Sequence, residues 1–360
     1  MPSQKIHFPA LDSLRAIAML LVFAAHLDPA AEAVGVKIAW SADGSIGAAG
    51  LTLFFVLSGF LITYLLLAEQ DDRQKIDVPH FYLRRILRIW PLYFLVVGIS
   101  QFLIPFTGLF GLDSIYSVNT PDFWKASLYY LLFLPNLAFI LVSPVNPMLG
   151  HTWSIGAEEQ FYLLWPLVLT IGRRHLPAIL CVIIVVGCLS WWVHVPGLSA
   201  AIGWSRMGYF GIGGLMAYFR ARQPGIARKF SGRILQMLVP LLSIIAFPVE
   251  EDLGFGWISA MLFGIIILQA SQPGTIMSKL RHPWLRYLGR ISYGMYIFHV
   301  LVIILIVKTG TALGLAPWTL PVIAFFATIL AGTLSFYGIE RPFLRLKRRF
   351  GSMSAPPDGV

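Results

Sequence analysis

Arg15 and His26 stand eleven residues apart in a run that is otherwise apolar from Leu11 onward. At about 100° per residue, eleven steps make three turns plus about 20°, and they advance about 16 Å along a helix axis. A helix there carries a permanent cation and a titratable imidazole on one stripe. A guanidinium holds phosphate, and an imidazole takes a proton from a hydroxyl near neutral pH. Taken alone, the pair also fits a helix-end arginine and a hydrogen-bonded histidine.

Four further clusters carry ionisable or polar groups. Arg84-Arg85-Ile86-Leu87-Arg88 precedes Trp90-Pro91. Arg85 and Arg88, three apart, are neighbours on a helix. They read as a basic stop beside an interfacial tryptophan, or as a fork for a phosphorylated ligand, since guanidinium binds phosphate bidentately. His151-Thr152-Trp153-Ser154 leads to Glu158-Glu159-Gln160-Phe161-Tyr162. Thr152 or Ser154 can cap that helix, and acids suit its first turn. Adjacent residues point about 100° apart, so at least one glutamate is expected to face the bundle interior, orienting a histidine or polarising a hydroxyl. Ser292, Tyr296 and His299, spaced four and three, form one polar stripe, and Gly289 and Gly294 permit close helix approach. Glu340-Arg341-Pro342 reads as an ion pair or cap at the end of the last apolar run.

The elements that position these groups follow from composition. The 360 residues are 57% apolar and 12% charged, with mean hydropathy +0.75. Soluble domains carry about 25% charged residues. This excludes a soluble enzyme, a disordered chain and a nucleic-acid-binding domain, and it points to a lipid bilayer as the second solvent. Net charge +10 and pI 9.7 fit lysine and arginine collected on the cytoplasmic side. Cys181 and Cys188 lie in one apolar run as filler, too far apart on a helix for a disulfide. The histidines show no ligand spacing with cysteine or acids, so no metal is expected. No cleavable signal is evident, and the first apolar run reads as a retained span.

The reading is an all-α membrane bundle of about ten crossings, over 11–27, 47–68, 89–105, 151–171, 176–193, 204–219, 234–248, 257–270, 288–308 and 316–337. Segment 123–142 is an eleventh candidate, broken by Pro135. With the N-terminus cytoplasmic and ten crossings, 23 of the 27 lysines and arginines fall inside. A full crossing by 123–142 would move 16 of them outside. Segment 123–150 is therefore expected to be re-entrant or interfacial, and both termini cytoplasmic. Irregular backbone at that depth must be covered by protein or line a cavity. Residues 1–345 read as one membrane domain and 346–360 as a basic cytoplasmic tail, disordered at its end.

Taken in order, these clusters resemble the acyltransferase-3 family of integral membrane O-acyltransferases. The resemblance rests on Arg15 and His26, on Phe54-Phe55-Val56-Leu57-Ser58-Gly59-Phe60, and on Arg85 with Arg88. It is completed by Trp153-Ser154 with Glu158-Glu159-Gln160-Phe161-Tyr162, by Ser292-Tyr293-Gly294 with Tyr296 and His299, and by Glu340-Arg341-Pro342-Phe343. It implies an enzyme in a bacterial cytoplasmic membrane that takes an acyl group, commonly acetyl, from cytoplasmic acyl-CoA. The group passes to a hydroxyl of an extracytoplasmic carbohydrate, such as an exopolysaccharide or lipopolysaccharide component. Within it, His26, Glu158 and Glu159 are the candidate catalytic residues. Arg15, Arg84, Arg85 and Arg88 are candidates for the acetyl-CoA donor, and Trp153, Ser154, Tyr296 and His299 for the acceptor. Two other readings stand beside it: an O-acyltransferase for a small hydrophobic acceptor such as a macrolide, and a transporter or flippase.

Overall fold

The computed structural model describes residues 7–38, 40, 44–108, 111–112, 116, 118–142, 145–172, 174–192, 204–252 and 256–347. The expected tail disorder falls outside them. Among the described residues the chain is helical and has no strand.

A helix covers most of each of the ten expected segments, the last beginning only at Leu320, and residue 193 lies outside the described residues. The helices are α1 (Pro9–Glu32), α2 (Gly44–Arg73), α3 (Val78–Val97), α4 (Pro121–Leu131), α5 (Pro135–Leu141), α6 (Trp153–Ile171) and α7 (Leu176–Trp192). They continue as α8 (Trp204–Arg222), α9 (Pro224–Lys229), α10 (Arg233–Asp252), α11 (Trp257–Ala270), α12 (Pro283–Ala312) and α13 (Leu320–Ser335). Helix α3 runs on through a π turn, Gly98–Leu103, and α13 through another, Phe336–Glu340. Five of these rods are long and apolar enough to cross a bilayer: Pro9–Glu32, Gly44–Arg73, Val78–Thr107, Pro283–Ala312 and Leu320–Leu346. Helices α7, α10 and α11 are apolar but shorter along their hydrophobic stretch.

Outward-facing side chains show what surrounds these helices. Leu163, Ile171, Ile244 and Leu334 are 60%, 86%, 73% and 63% exposed in mid-helix or at helix ends. Apolar surface this extensive is unstable in water and stable against acyl chains. The protein is an integral membrane protein.

Segment 121–141 is two short helices of 11 and 7 residues, parted at Leu132–Leu134. A crossing helix needs about 20 residues, so neither traverses alone. The break is held in place. Phe133 turns with φ 61° and stacks on Tyr93 at 3.9 Å, and the Tyr93 hydroxyl donates to Tyr130 O at 3.0 Å. A buried amide network ties the returning strand of chain to the π turn of α3. Asn146 Nδ2 donates to Ser100 O and Gln101 Oε1 at 2.9 and 3.0 Å, and Gln101 Nε2 donates to Ser127 Oγ at 3.0 Å. Polar backbone at this depth is thus covered by protein.

The core is a pairing of α1 with α12 and of α2 with α8, the two pairs joined where α1 meets α2. Two glycines set those spacings. A side chain at Gly289 would occupy the place of Asp12 O, and one at Gly213 the place of Val56 O. Close approach at small residues is what packs membrane helices, because lipid offers them no hydrophobic drive. At the start of α3, Asp77 caps the helix by accepting from His80 N at 3.2 Å. The His80 ring also donates to its carboxyl, which is held below the ordinary aspartate value.

Candidate active site

Helices α1, α2, α3, α6 and α12 enclose a cavity of about 240 Å³. At one end it presents three guanidinium groups, Arg15, Arg85 and Arg88. Arg85 lies over the rings of Phe81 and Tyr162, at 5.7 and 5.4 Å from their centroids, and its Nε is buried without a hydrogen-bond partner. Stacking fixes the cation without neutralising it. Arg15 pairs with Asp12 at 3.4 Å, one turn back.

Glu158 is the carboxylate of this cavity. Its Oε1 accepts hydrogen bonds from both Ser58 Oγ and the Tyr162 hydroxyl. Those three side chains come from α2 and two successive turns of α6. The anion is therefore oriented and sits in the field of Arg15 and Arg85. Glu159, the next residue, does not line the cavity and lies beside Trp90. Arg84 likewise turns aside from its neighbour Arg85: its Nη2 is bonded to Glu69 Oε2 at 3.1 Å, a carboxylate with 4% of its side chain exposed.

The far end of the cavity is closed by Leu51, Ser154 and Tyr296. The Tyr296 hydroxyl lies 2.5 Å from Ser154 Oγ and donates to His151 O at 3.0 Å. Beyond it lies a second cavity of about 310 Å³, which shares Leu51 and Tyr296 with the first and is lined by His26, His151, Trp153 and Arg206. A third, of about 290 Å³, also opens on His26, His151 and Trp153. Of the two α1 residues, Arg15 lines the first chamber and His26 the second and third.

His26 Nδ1 donates to Val22 O at 2.8 Å, so Nε2 keeps its lone pair for a ligand. Two more imidazoles surround it. The His299 ring lies 4.8 Å away edge-on, the His151 ring 6.3 Å, and these two are 4.7 Å from each other. His299 is fully buried and its Nδ1 donates to Tyr296 O at 2.5 Å. It backs His26 and lines none of the three cavities described. Among the described residues, no group of His, Cys, Asp and Glu is arranged to hold a metal ion. Glu340 accepts from Ser335 at 3.3 Å and lies in the field of Arg88.

A chamber walled by three fixed cations shares a waist, Leu51 and Tyr296, with a chamber lined by the His26 imidazole. Comparison with known proteins places the chain. The sequence profile of the acyltransferase domain family matches residues 8–337. The chain belongs to the acyltransferase-3 family. Relatives of this acyltransferase-family chain include the peptidoglycan O-acetyltransferase OatA of Listeria monocytogenes, 28% identical over 93% of this chain and 56% of the relative. A putative O-acetyltransferase of Staphylococcus aureus is 27% identical, over 94% of this chain and 57% of the relative. The putative peptidoglycan O-acetyltransferase YrhL of Bacillus subtilis is 27% identical over 93% and 55%. The chain spans about half the length of these curated relatives. No solved structure matches it.

Sequence reasoning assigned no role to four residues that the fold brings to the chambers. Tyr162 is four residues from Glu158, a spacing that helix geometry puts on one face. Ser58, His151 and Arg206 reach the site only through long-range packing.

Proposed function

We propose that the protein is a transmembrane O-acyltransferase that moves an acetyl group from cytoplasmic acetyl-CoA to a hydroxyl of a carbohydrate on the other side of the membrane. One observation carries this reading: the arginine chamber and the His26 chamber meet at Leu51 and Tyr296. The relatives named above add the acceptor class, a cell-wall glycan. The charge distribution supports ten crossings with the arginine chamber and both termini on the cytoplasmic face, in a bacterial cytoplasmic membrane.

In this mechanism the donor enters from the cytoplasm. A chamber of about 240 Å³ is below the ordinary range of ligand pockets, about 300–1,000 Å³. It takes the thin pantetheine arm and leaves the nucleotide at its mouth. Arg85 and Arg88 hold phosphate there, with Arg15 deeper along the arm. Glu158, fixed by Ser58 and Tyr162, keeps the arginine forks spread and aligned. The thioester reaches the waist and faces His26, which lies about 16 Å along α1 from Arg15 by helix rise. On the other side the acceptor hydroxyl meets His26 Nε2, which takes its proton. The hydroxyl oxygen forms a bond to the thioester carbonyl carbon, the carbon–sulfur bond breaks, and the imidazolium returns the proton to the departing thiolate. His299, donating to Tyr296 O, keeps the phenol and the His26 ring in register. A base positioned in this way contributes about 10²–10⁴-fold in rate.

The test is release of free thiol from acetyl-CoA by the purified protein in nanodiscs, with and without a muramyl glycan acceptor, and mass spectrometry of the glycan. Acceptor-dependent thiol release with a gain of one acetyl group is expected. Acetylation of a macrolide but of no glycan would replace the acceptor class. Gradient-dependent flux of solute with no thiol release would replace the enzyme with a transporter.

A further inference from the structure

The second chamber holds a cation that the transfer chemistry above does not use. Arg206, near the start of α8, lines it together with His26, Trp153 and His151. Its guanidinium lies 5.2 Å from the centroid of the Trp153 ring and 6.0 Å from that of Tyr209. No carboxylate pairs with it among the described residues. It is the one permanently charged side chain among the residues lining this chamber, whose other walls are small or apolar apart from the two imidazoles and Tyr296. Gly44, Gly47 and Ala48 keep the opposite wall low, and a side chain on Gly47 would meet Ala25 Cβ at 2.7 Å.

An arginine held by aromatic faces and with no counter-ion among the described residues is set for a planar anion. Its position on the chamber of the base, rather than among the donor-side arginines, separates it from the phosphates of the donor. We propose that Arg206 selects an acceptor bearing an anionic group, carboxylate or phosphate, close to the hydroxyl that His26 deprotonates. This rests on the acyltransferase reading and narrows its substrate class from a carbohydrate to an acidic one.

Two acceptor pairs test it, each differing in one charge: N-acetylmuramic acid against its methyl ester, and N-acetylglucosamine 1-phosphate against N-acetylglucosamine. The wild-type protein in nanodiscs is expected to favour the anionic member of at least one pair by about tenfold or more in kcat/KM, the effect of one charge-assisted hydrogen bond. The pair that shows the preference tells carboxylate from phosphate. In Arg206→Gln that ratio falls toward unity, and in Arg206→Lys it is partly retained. Rising salt lowers the wild-type ratio, which provides a reading that needs no variant. Equal kcat/KM for both members of both pairs overturns the proposal while leaving the acyltransferase reading intact. So does an Arg206→Gln loss that is the same for charged and neutral acceptors, because that marks a role in the transition state or in folding. No acetylation of any of the four acceptors, together with no thiol release with a muramyl glycan or a macrolide, is the failure of the acyltransferase reading itself.

Discussion

Replacement of Arg85 by alanine tests the donor chamber directly. Its guanidinium is stacked over Phe81 and Tyr162, has no ion-pair partner among the described residues, and keeps Nε buried and unbonded. Binding a phosphate therefore breaks no existing ion pair, and the side chain is already in place. One charge-assisted hydrogen bond contributes about 1.5–3 kcal/mol. Each 1.4 kcal/mol is tenfold in Kd, so Arg85→Ala is expected to weaken acetyl-CoA binding by about 10- to 100-fold. Arg88→Ala acts in the same direction, since its side chain lines the same wall. The internal control is Arg84, one residue away but bonded to buried Glu69. Arg84→Ala is expected to change acetyl-CoA affinity by less than about threefold while lowering thermal stability, because it strands a buried charge whose partner is typically worth about 3–5 kcal/mol. Isothermal titration of acetyl-CoA into nanodisc-embedded protein measures the first quantity and a thermal melt the second. A Kd for Arg85→Ala within twofold of wild type, or a greater loss in Arg84→Ala than in Arg85→Ala, refutes the assignment of this wall to the donor.

Three further outcomes follow from the geometry. His26→Ala is expected to lower acceptor-dependent thiol release by about 10²–10⁴-fold while the protein still inserts and elutes as wild type; normal turnover would remove His26 from the chemistry. Glu158→Gln keeps the shape but replaces a carboxylate that accepts from Ser58 and Tyr162, and kcat is expected to fall at least about tenfold, since bonds to an ionised acceptor are about twice as strong as neutral ones. Glu159→Gln, off the cavity wall, is expected to fall less, and steady-state kinetics on the two variants would show the order reversed if the wrong glutamate has been chosen. Gly289→Val places a side chain on Asp12 O and separates α1 from α12; the yield of folded protein after detergent extraction is expected to collapse, and a wild-type yield would show that the two helices pack otherwise.

Much of the site could be read from spacing inside single helices. The eleven-residue interval from Arg15 to His26, the three-residue interval from Arg85 to Arg88 and the four-residue interval from Glu158 to Tyr162 are all periodicities of one rod. Pro135 likewise marks where the 123–142 segment breaks, and the structure parts it into α4 and α5 beside that proline. What spacing does not give is the rotation of a helix about its axis. Glu158 and Glu159, or Arg84 and Arg85, differ by one residue and about 100°, and only the packing of α6 and α3 against their neighbours decides which faces the chamber. Contacts between distant segments are equally silent in sequence. Ser58 meets Glu158 across one hundred residues, and His151 meets His26 and His299 across still longer intervals. Arg206 reads as an ordinary loop-side charge until α8 is laid beside Trp153.

The waist formed by Leu51 and Tyr296 has a bioenergetic consequence. Between the two chambers stand a leucine and a phenol tied to Ser154 and to the His151 carbonyl. Under the proposed transfer, a cargo that crosses by changing covalent partners needs no continuous aqueous path, so acetyl units would leave the cell without protons and sodium flowing back down their gradients. Shaving that partition, as in Tyr296→Gly, should reveal itself first as a drop in membrane potential in energised vesicles, before any change in the chemistry is measured.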